Sequence, residues 1–199
     1  PFVLPRRKHH ARPALPFMLI LLLMSIPFQS RAQSLSIQEL KLPALQVDGR
    51  SARAHTQGLE IVAGRYYVTA RRDDVQPKRA LLLRTAQGRA DWDSWDITPV
   101  GHSQSGPVSA MDHPGGMQSD GTRLWIPVAE SRRRGRSVLR VFSLARLQPG
   151  KSVTPDFEVA VGDHIGALAV AAGRNEVLGA SWDAEDVYLW DLSGRLQRP

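Results

Sequence analysis

Apolar residues in this chain gather in short runs, at 66–70, 80–83, 124–129, 138–142, 177–181 and 187–190, separated by polar and glycine-containing stretches. Runs of this length, bounded by turn residues, predict buried strands rather than helices. They fall in order within three units, each opening on a histidine: His55-Thr56-Gln57-Gly58-Leu59, His113-Pro114-Gly115-Gly116-Met117 and His164-Ile165-Gly166-Ala167-Leu168. Ten residues after each histidine stands an arginine (Arg65, Arg123, Arg174), just past a turn glycine (Gly64, Gly121, Gly173) and just before an apolar run. Each unit therefore reads as strand, glycine turn, strand, loop, strand. A fourth strand is predicted at 95–100 and at 157–161. In the third unit the turn Asp191-Leu192-Ser193-Gly194 is followed by no apolar run, so its fourth strand is expected to be missing.

The histidines are 58 and 51 residues apart. A unit of several short strands repeating at about that interval predicts an all-β fold, a β-propeller, with about three blades beginning near 55, 113 and 164. Three such units make half of a six-bladed ring, which needs roughly 300 residues. The chain is therefore expected to be part of a longer protein or a truncated product. The alternative is a three-unit chain that dimerises to close its ring. Residues 33–54 form a lead-in, and the alternation at 37–42 predicts a strand that could close the ring and cover a sheet edge.

The N-terminus changes the meaning of the charge. Arg6-Arg7-Lys8 and Arg12 precede an apolar stretch at 15–28, and Ser30-Arg31-Ala32 follows it, which is the order of a secretory signal peptide over 1–32. The apolar stretch is shorter than the roughly 20 residues of a comfortable membrane span. An uncleaved anchor is the alternative. The formal charge of +7 counts 26 basic residues against 19 acidic, and five of the basic ones lie in this segment. The remainder is close to neutral, so the charge does not point to nucleic acid. The expected location is the periplasm or the exterior, with no membrane span once the signal is removed. Absence of cysteine excludes disulfides, thiolate metal sites and a cysteine nucleophile.

The histidine segments, together with Asp120-Gly121, the run Leu124-Trp125-Ile126-Pro127-Val128-Ala129-Glu130, Gly179-Ala180-Ser181-Trp182 and Tyr188-Leu189-Trp190-Asp191, resemble an uncharacterised bacterial family of secreted, propeller-like proteins known as a domain of unknown function. The resemblance covers roughly residues 55–195 and implies the fold but no activity. It is weakest at Ala167, where a second glycine would fit better. Thr56-Gln57-Gly58-Leu59 is also similar to a segment of the propeller-type glutaminyl cyclases, within one blade only.

In a propeller the first strand of each blade lines the axis, so His55, His113 and His164 are expected to ring one mouth, with Gln57 and Gln118 close by. Neutral imidazoles there could bind a divalent metal or a polar ligand. They could equally satisfy backbone groups within their own blades. Asp112 and Asp163 could orient the rings in either case. Glu130 and Trp182, at the ends of second strands, complete the candidate set; surface charge and packing between blades are their alternative roles. The cationic loop Ser131-Arg132-Arg133-Arg134-Gly135-Arg136 reads as a solvated hairpin tip or as a contact for an anionic lipid or polysaccharide. No phosphate loop, nucleophile elbow or zinc helix is present. Two function classes follow: a binding or scaffolding propeller taking a small molecule or an envelope protein, and a hydrolase or cyclase using a metal or His/Glu acid–base chemistry at the mouth.

Overall fold

The computed structural model describes residues 40, 42, 45–47, 50–52, 54–100 and 111–198. The signal segment 1–32 lies outside them, as does the lead-in strand at 37–42 except Leu40 and Leu42, which are in no strand. The chain divides into units Pro1–Leu40 and Lys41–Pro199, and every element below belongs to the second.

After a small hairpin of β1 (Leu45–Val47) and β2 (Arg50–Ala52), the chain forms three antiparallel sheets in sequence. The first contains β3 (Ala54–Val62), β4 (Arg65–Arg72), β5 (Arg79–Ala86) and β6 (Asp93–Asp96), paired in chain order. In the second, β7 (Met111–Pro114) and β8 (Gln118–Ser119) share the place of one first strand against β9 (Arg123–Glu130), followed by β10 (Ser137–Ser143) and β11 (Phe157–Val161). The third runs through β12 (Ile165–Ala171), β13 (Glu176–Ser181), β14 (Val187–Trp190) and β15 (Leu196–Arg198). The apolar runs of the three units are found as strands, with two corrections. The strand expected at 95–100 is instead β6 at Asp93–Asp96. The third sheet is not short of a strand: β15 pairs with β14, and it escaped notice because all three of its residues are exposed and make no apolar run.

Turn chemistry explains the first two hairpins and corrects the third. Gly64 and Gly121 take positive φ, where a side chain would be strained. In the third sheet the left-handed position is held by Asn175 rather than Gly173. Asparagine tolerates that conformation better than other non-glycine residues.

Alternation along β9 sends side chains to two cores. Leu124, Ile126 and Val128 pack with Tyr67, Leu82, Trp95 and Ile97 of the first sheet. Trp125, on the opposite face, packs with Ile165, Leu168, Val177 and Trp190 of the third. The second sheet is therefore covered on both faces, which is why β9 and β10 read as nearly continuous apolar runs.

Neighbouring sheets also meet through the backbone of their first strands. Gly116 N donates to Gly166 O at 2.9 Å, Leu168 N donates to Gly116 O at 3.0 Å, and Gly116 forms a parallel bridge with Ala167. The first strand of the second sheet leaves its own ladder here, between β7 and β8. Pro127 lies across from the gap: its carbonyl accepts Gly115 N at 2.8 Å, and it has no N–H to leave unpaired. A Cβ on Gly115 would overlap the Gly166 carbonyl, so glycine is required by this approach.

Candidate functional site

The first strands begin at one common end of the sheets. There β3 places His55 directly across from Arg71 of β4, and β7 places His113 across from Ala129 of β9. His164 immediately precedes β12. The His113 and His164 ring centroids are 5.6 Å apart, and Trp182 lies 5.9 Å from the first and 4.4 Å from the second, edge-on to it. Trp182 remains 48% exposed, whereas His164 is buried.

Each of these two histidines is held by the sheet that precedes its own. Arg71 of the first sheet places Nη1 3.0 Å from His113 Nδ1, while donating to Ser131 Oγ at 2.8 Å and to Asp73 Oδ1 at 2.6 Å. His164 Nδ1 lies 2.7 Å from Glu130 O and 3.2 Å from Arg132 O, at the end of β9 in the second sheet. The alternative in which a histidine serves backbone groups within its own unit is thereby corrected: the bonds run between units. Neither Asp112 nor Asp163 bonds a ring among the described residues. Asp163 instead accepts His164 N at 2.7 Å and the Tyr188 hydroxyl at 3.1 Å.

These bonds fix tautomers. A guanidinium only donates, so His113 Nδ1 accepts and a neutral ring carries its proton on Nε2. A carbonyl only accepts, so His164 Nδ1 carries the proton and its Nε2 is left with a lone pair. Burial, and then the charge of Arg71, lower the His113 pKa to about 4, and burial lowers that of His164. Both rings are neutral near pH 7. Asp112 is buried, its Oδ1 has no hydrogen-bond partner among the described residues, and burial pushes its pKa upward against the pull of Arg71, 3.8 Å away, and of Lys78.

A family of unknown function, DUF6454, matches residues 44–197. The chain belongs to this family. The DUF6454 match takes in the whole His–Trp end and all three sheets. No curated protein and no solved structure matches the chain.

The other candidates separate by position. His55 is exposed, and its Nδ1 lies 3.2 Å from the Gln57 amide nitrogen. Gln118 is not at this end: it pairs with Trp125, four residues along β9 from the partner of His113, a separation of about 13 Å at the rise of a strand. Its Oε1 accepts Val170 N, tying β8 to the third sheet. Glu130 is 1% exposed and its carboxylate is filled by Arg136 N, Arg136 Nε and Nη2, and Arg132 Nε. Burial opposes its ionisation, but the bonds from Arg136 and Arg132 outweigh this and hold its pKa below the usual value. It braces its own hairpin. The cationic loop is engaged as well, since Arg133 pairs with Asp183 and Glu185 of the third sheet.

Among the described residues no group of three or more His, Asp or Glu side chains could hold an ion, and the His113 lone pair, on Nδ1, is taken up by Arg71. Arg71 is the residue the sequence reading missed, together with its partners Ser131 and Asp73. It stands beside Arg72 in a polar stretch, and only strand pairing shows that it faces the second sheet.

Proposed function

We propose that the three sheets are successive blades of a β-propeller-like architecture and that the protein is a secreted or periplasmic scaffold binding a polar small molecule at the His–Trp end. The blade reading is supported by the chain-ordered antiparallel sheets and by the meeting of equivalent positions. Gly58, Gly116 and Ala167 each stand three residues after their histidine; Gly116 bridges Ala167, and a Cβ on Gly58 would lie 3.0 Å from Gly116 Cα. Rotation from blade to blade superposes such positions. Export is supported by the basic, apolar and small-residue order of 1–32.

The observation that carries the binding reading is the meeting of His113, His164 and Trp182 from two sheets. One nitrogen of each imidazole is fixed by the protein, and Nε2 of each has no protein partner among the described residues. A few convergent polar groups beside an exposed aromatic are what small-molecule sites use. An enzymatic reading has one observation in its favour, the Asp112 Oδ1 next to His113, which has no hydrogen-bond partner among the described residues although Arg71 stands 3.8 Å away; the Glu130 carboxylate, which it would also need, is fully occupied.

Melting temperatures measured against a panel of soluble metabolites test the proposal, because a ligand of the folded state raises the transition. Hits should lose their effect in Trp182→Ala, whose own melting temperature stays close to the parent. Hits that stabilise parent and variant equally, or no hits, would contradict the assignment.

A further inference from the structure

Resting on that assignment of the site, we propose that the ligand is an uncharged, hydroxyl-rich molecule, a neutral sugar unit, lying against Trp182 with one hydroxyl shared between His113 and His164.

The two imidazoles present opposite hydrogen-bonding characters. His113 Nε2 is a donor, because its Nδ1 accepts from Arg71; His164 Nε2 is an acceptor, because its Nδ1 donates to the Glu130 carbonyl. A hydroxyl both donates and accepts, and so satisfies both nitrogens at once. The two rings are neighbours, with centroids 5.6 Å apart and planes tilted by 58°, so one small polar group can lie against both. A carboxylate or a fully ionised phosphate only accepts and would set its charge against the His164 lone pair. An ammonium only donates and would meet the His113 N–H.

The nearby cations are paired within the protein. Arg71 is bonded to Asp73 and stands 3.8 Å from Asp112, Lys78 is 3.4 Å from Asp73, and Arg133 is paired with Asp183 and Glu185. Asp163 is engaged by Tyr188 and by the His164 N–H. Arg71, Lys78 and Arg133 thus each have a carboxylate partner within the protein, which leaves none of these three cations free to draw an anionic ligand. Trp182 supplies the remaining surface: its ring is braced by both histidines yet half exposed, a rigid aromatic platform for the apolar C–H face of a sugar ring. The exposed pair Gln57 and His55, on the neighbouring sheet, adds an amide and an imidazole able to reach further hydroxyls.

The test uses the full chain with isotope-labelled histidine and fluorotryptophan, read by NMR. The probes are glucose, galactose, mannose and N-acetylglucosamine, with glucuronate and glucosamine as anionic and cationic counterparts. The Trp182 resonance is assigned from Trp182→Ala. At least one neutral sugar should shift the Trp182, His113 and His164 signals saturably, about tenfold more tightly than either charged counterpart, and Trp182→Ala should weaken it by about tenfold or more. Preference for glucuronate or glucosamine at the same signals would leave the site standing and overturn the ligand class. Equal binding of a neutral sugar by parent and Trp182→Ala would overturn the placement of the site. Absence of a response to every probe would overturn the proposed ligand class, and the metabolite panel above would then decide whether the site itself stands.

Discussion

Arg71 Nη1 lies 3.0 Å from His113 Nδ1, so an arginine of the first sheet sets the proton position on a histidine of the second. The same relationship recurs one sheet on, where the Glu130 carbonyl holds His164. Both histidines join neighbouring sheets and still present a second nitrogen at the shared end. Structural and binding roles are thus divided between the two nitrogens of one ring.

His164→Ala removes a buried ring and its bond to the Glu130 carbonyl, which keeps Arg132 N as its remaining donor. It should cost about 2–3 kcal/mol in urea unfolding. Trp182→Ala, at a half-exposed position, should cost about 1 kcal/mol or less. Equal losses in the two variants would contradict the division between a buried pin and an open platform.

Gly115→Ala drives a methyl group into the Gly166 carbonyl, where backbone must move. A loss of about 1–3 kcal/mol is expected, with the amides of Gly116 and Leu168, which bond across this seam, exchanging faster with solvent. Unchanged exchange at those two amides would show that the seam does not depend on the glycine.

Glu130→Gln keeps the shape of the side chain but removes the charge that Arg132 and Arg136 share. Stability should fall by about 1–3 kcal/mol, while any ligand that shifts Trp182 should bind as before. Loss of binding with stability intact would return Glu130 to the site.

The pH dependence follows from the neutral imidazoles. The folded-state pKa of His113, about 4, lies below the unfolded value of about 6.5, so between these values the unfolded chain takes up more protons. The stability contributed is present in full above pH 6.5 and is lost as the pH falls towards 4; His164 acts in the same direction. In His113→Asn the amide oxygen can still accept from Arg71 but does not titrate. The melting temperature of this variant should fall less steeply over that interval, and a slope equal to the parent's would show that His113 does not contribute.

Much of the fold was legible because buried strands in a doubly covered sheet are apolar throughout: the runs at 124–129 and 138–142 match β9 and β10. The histidines were legible because they open each unit. The strand Leu196–Arg198 was not, since an exposed edge places no demand on composition. Trp182 was among the candidates, but its place beside the histidines, like that of Arg71, was hidden for another reason. Arg71 and Trp182 follow their histidines by 16 and 18 residues, so no fixed offset relates them, and only pairing through ladders with local bulges brings them to the same end. Glu130 read as a site candidate, or else a surface charge, because the sequence does not show that the following arginines turn back onto it.

The most direct measurement is the protonation state of His113 followed by 15N NMR from pH 7.5 to 3.5, in the parent and in Arg71→Gln. The expected result is a neutral ring with the proton on Nε2 at neutral pH, titrating near 4 in the parent and at a higher pH, still below the ordinary value, once the Arg71 charge is gone. A parent His113 that titrates near 6.5, or carries its proton on Nδ1 at neutral pH, would contradict the arrangement on which the site and its ligand are argued.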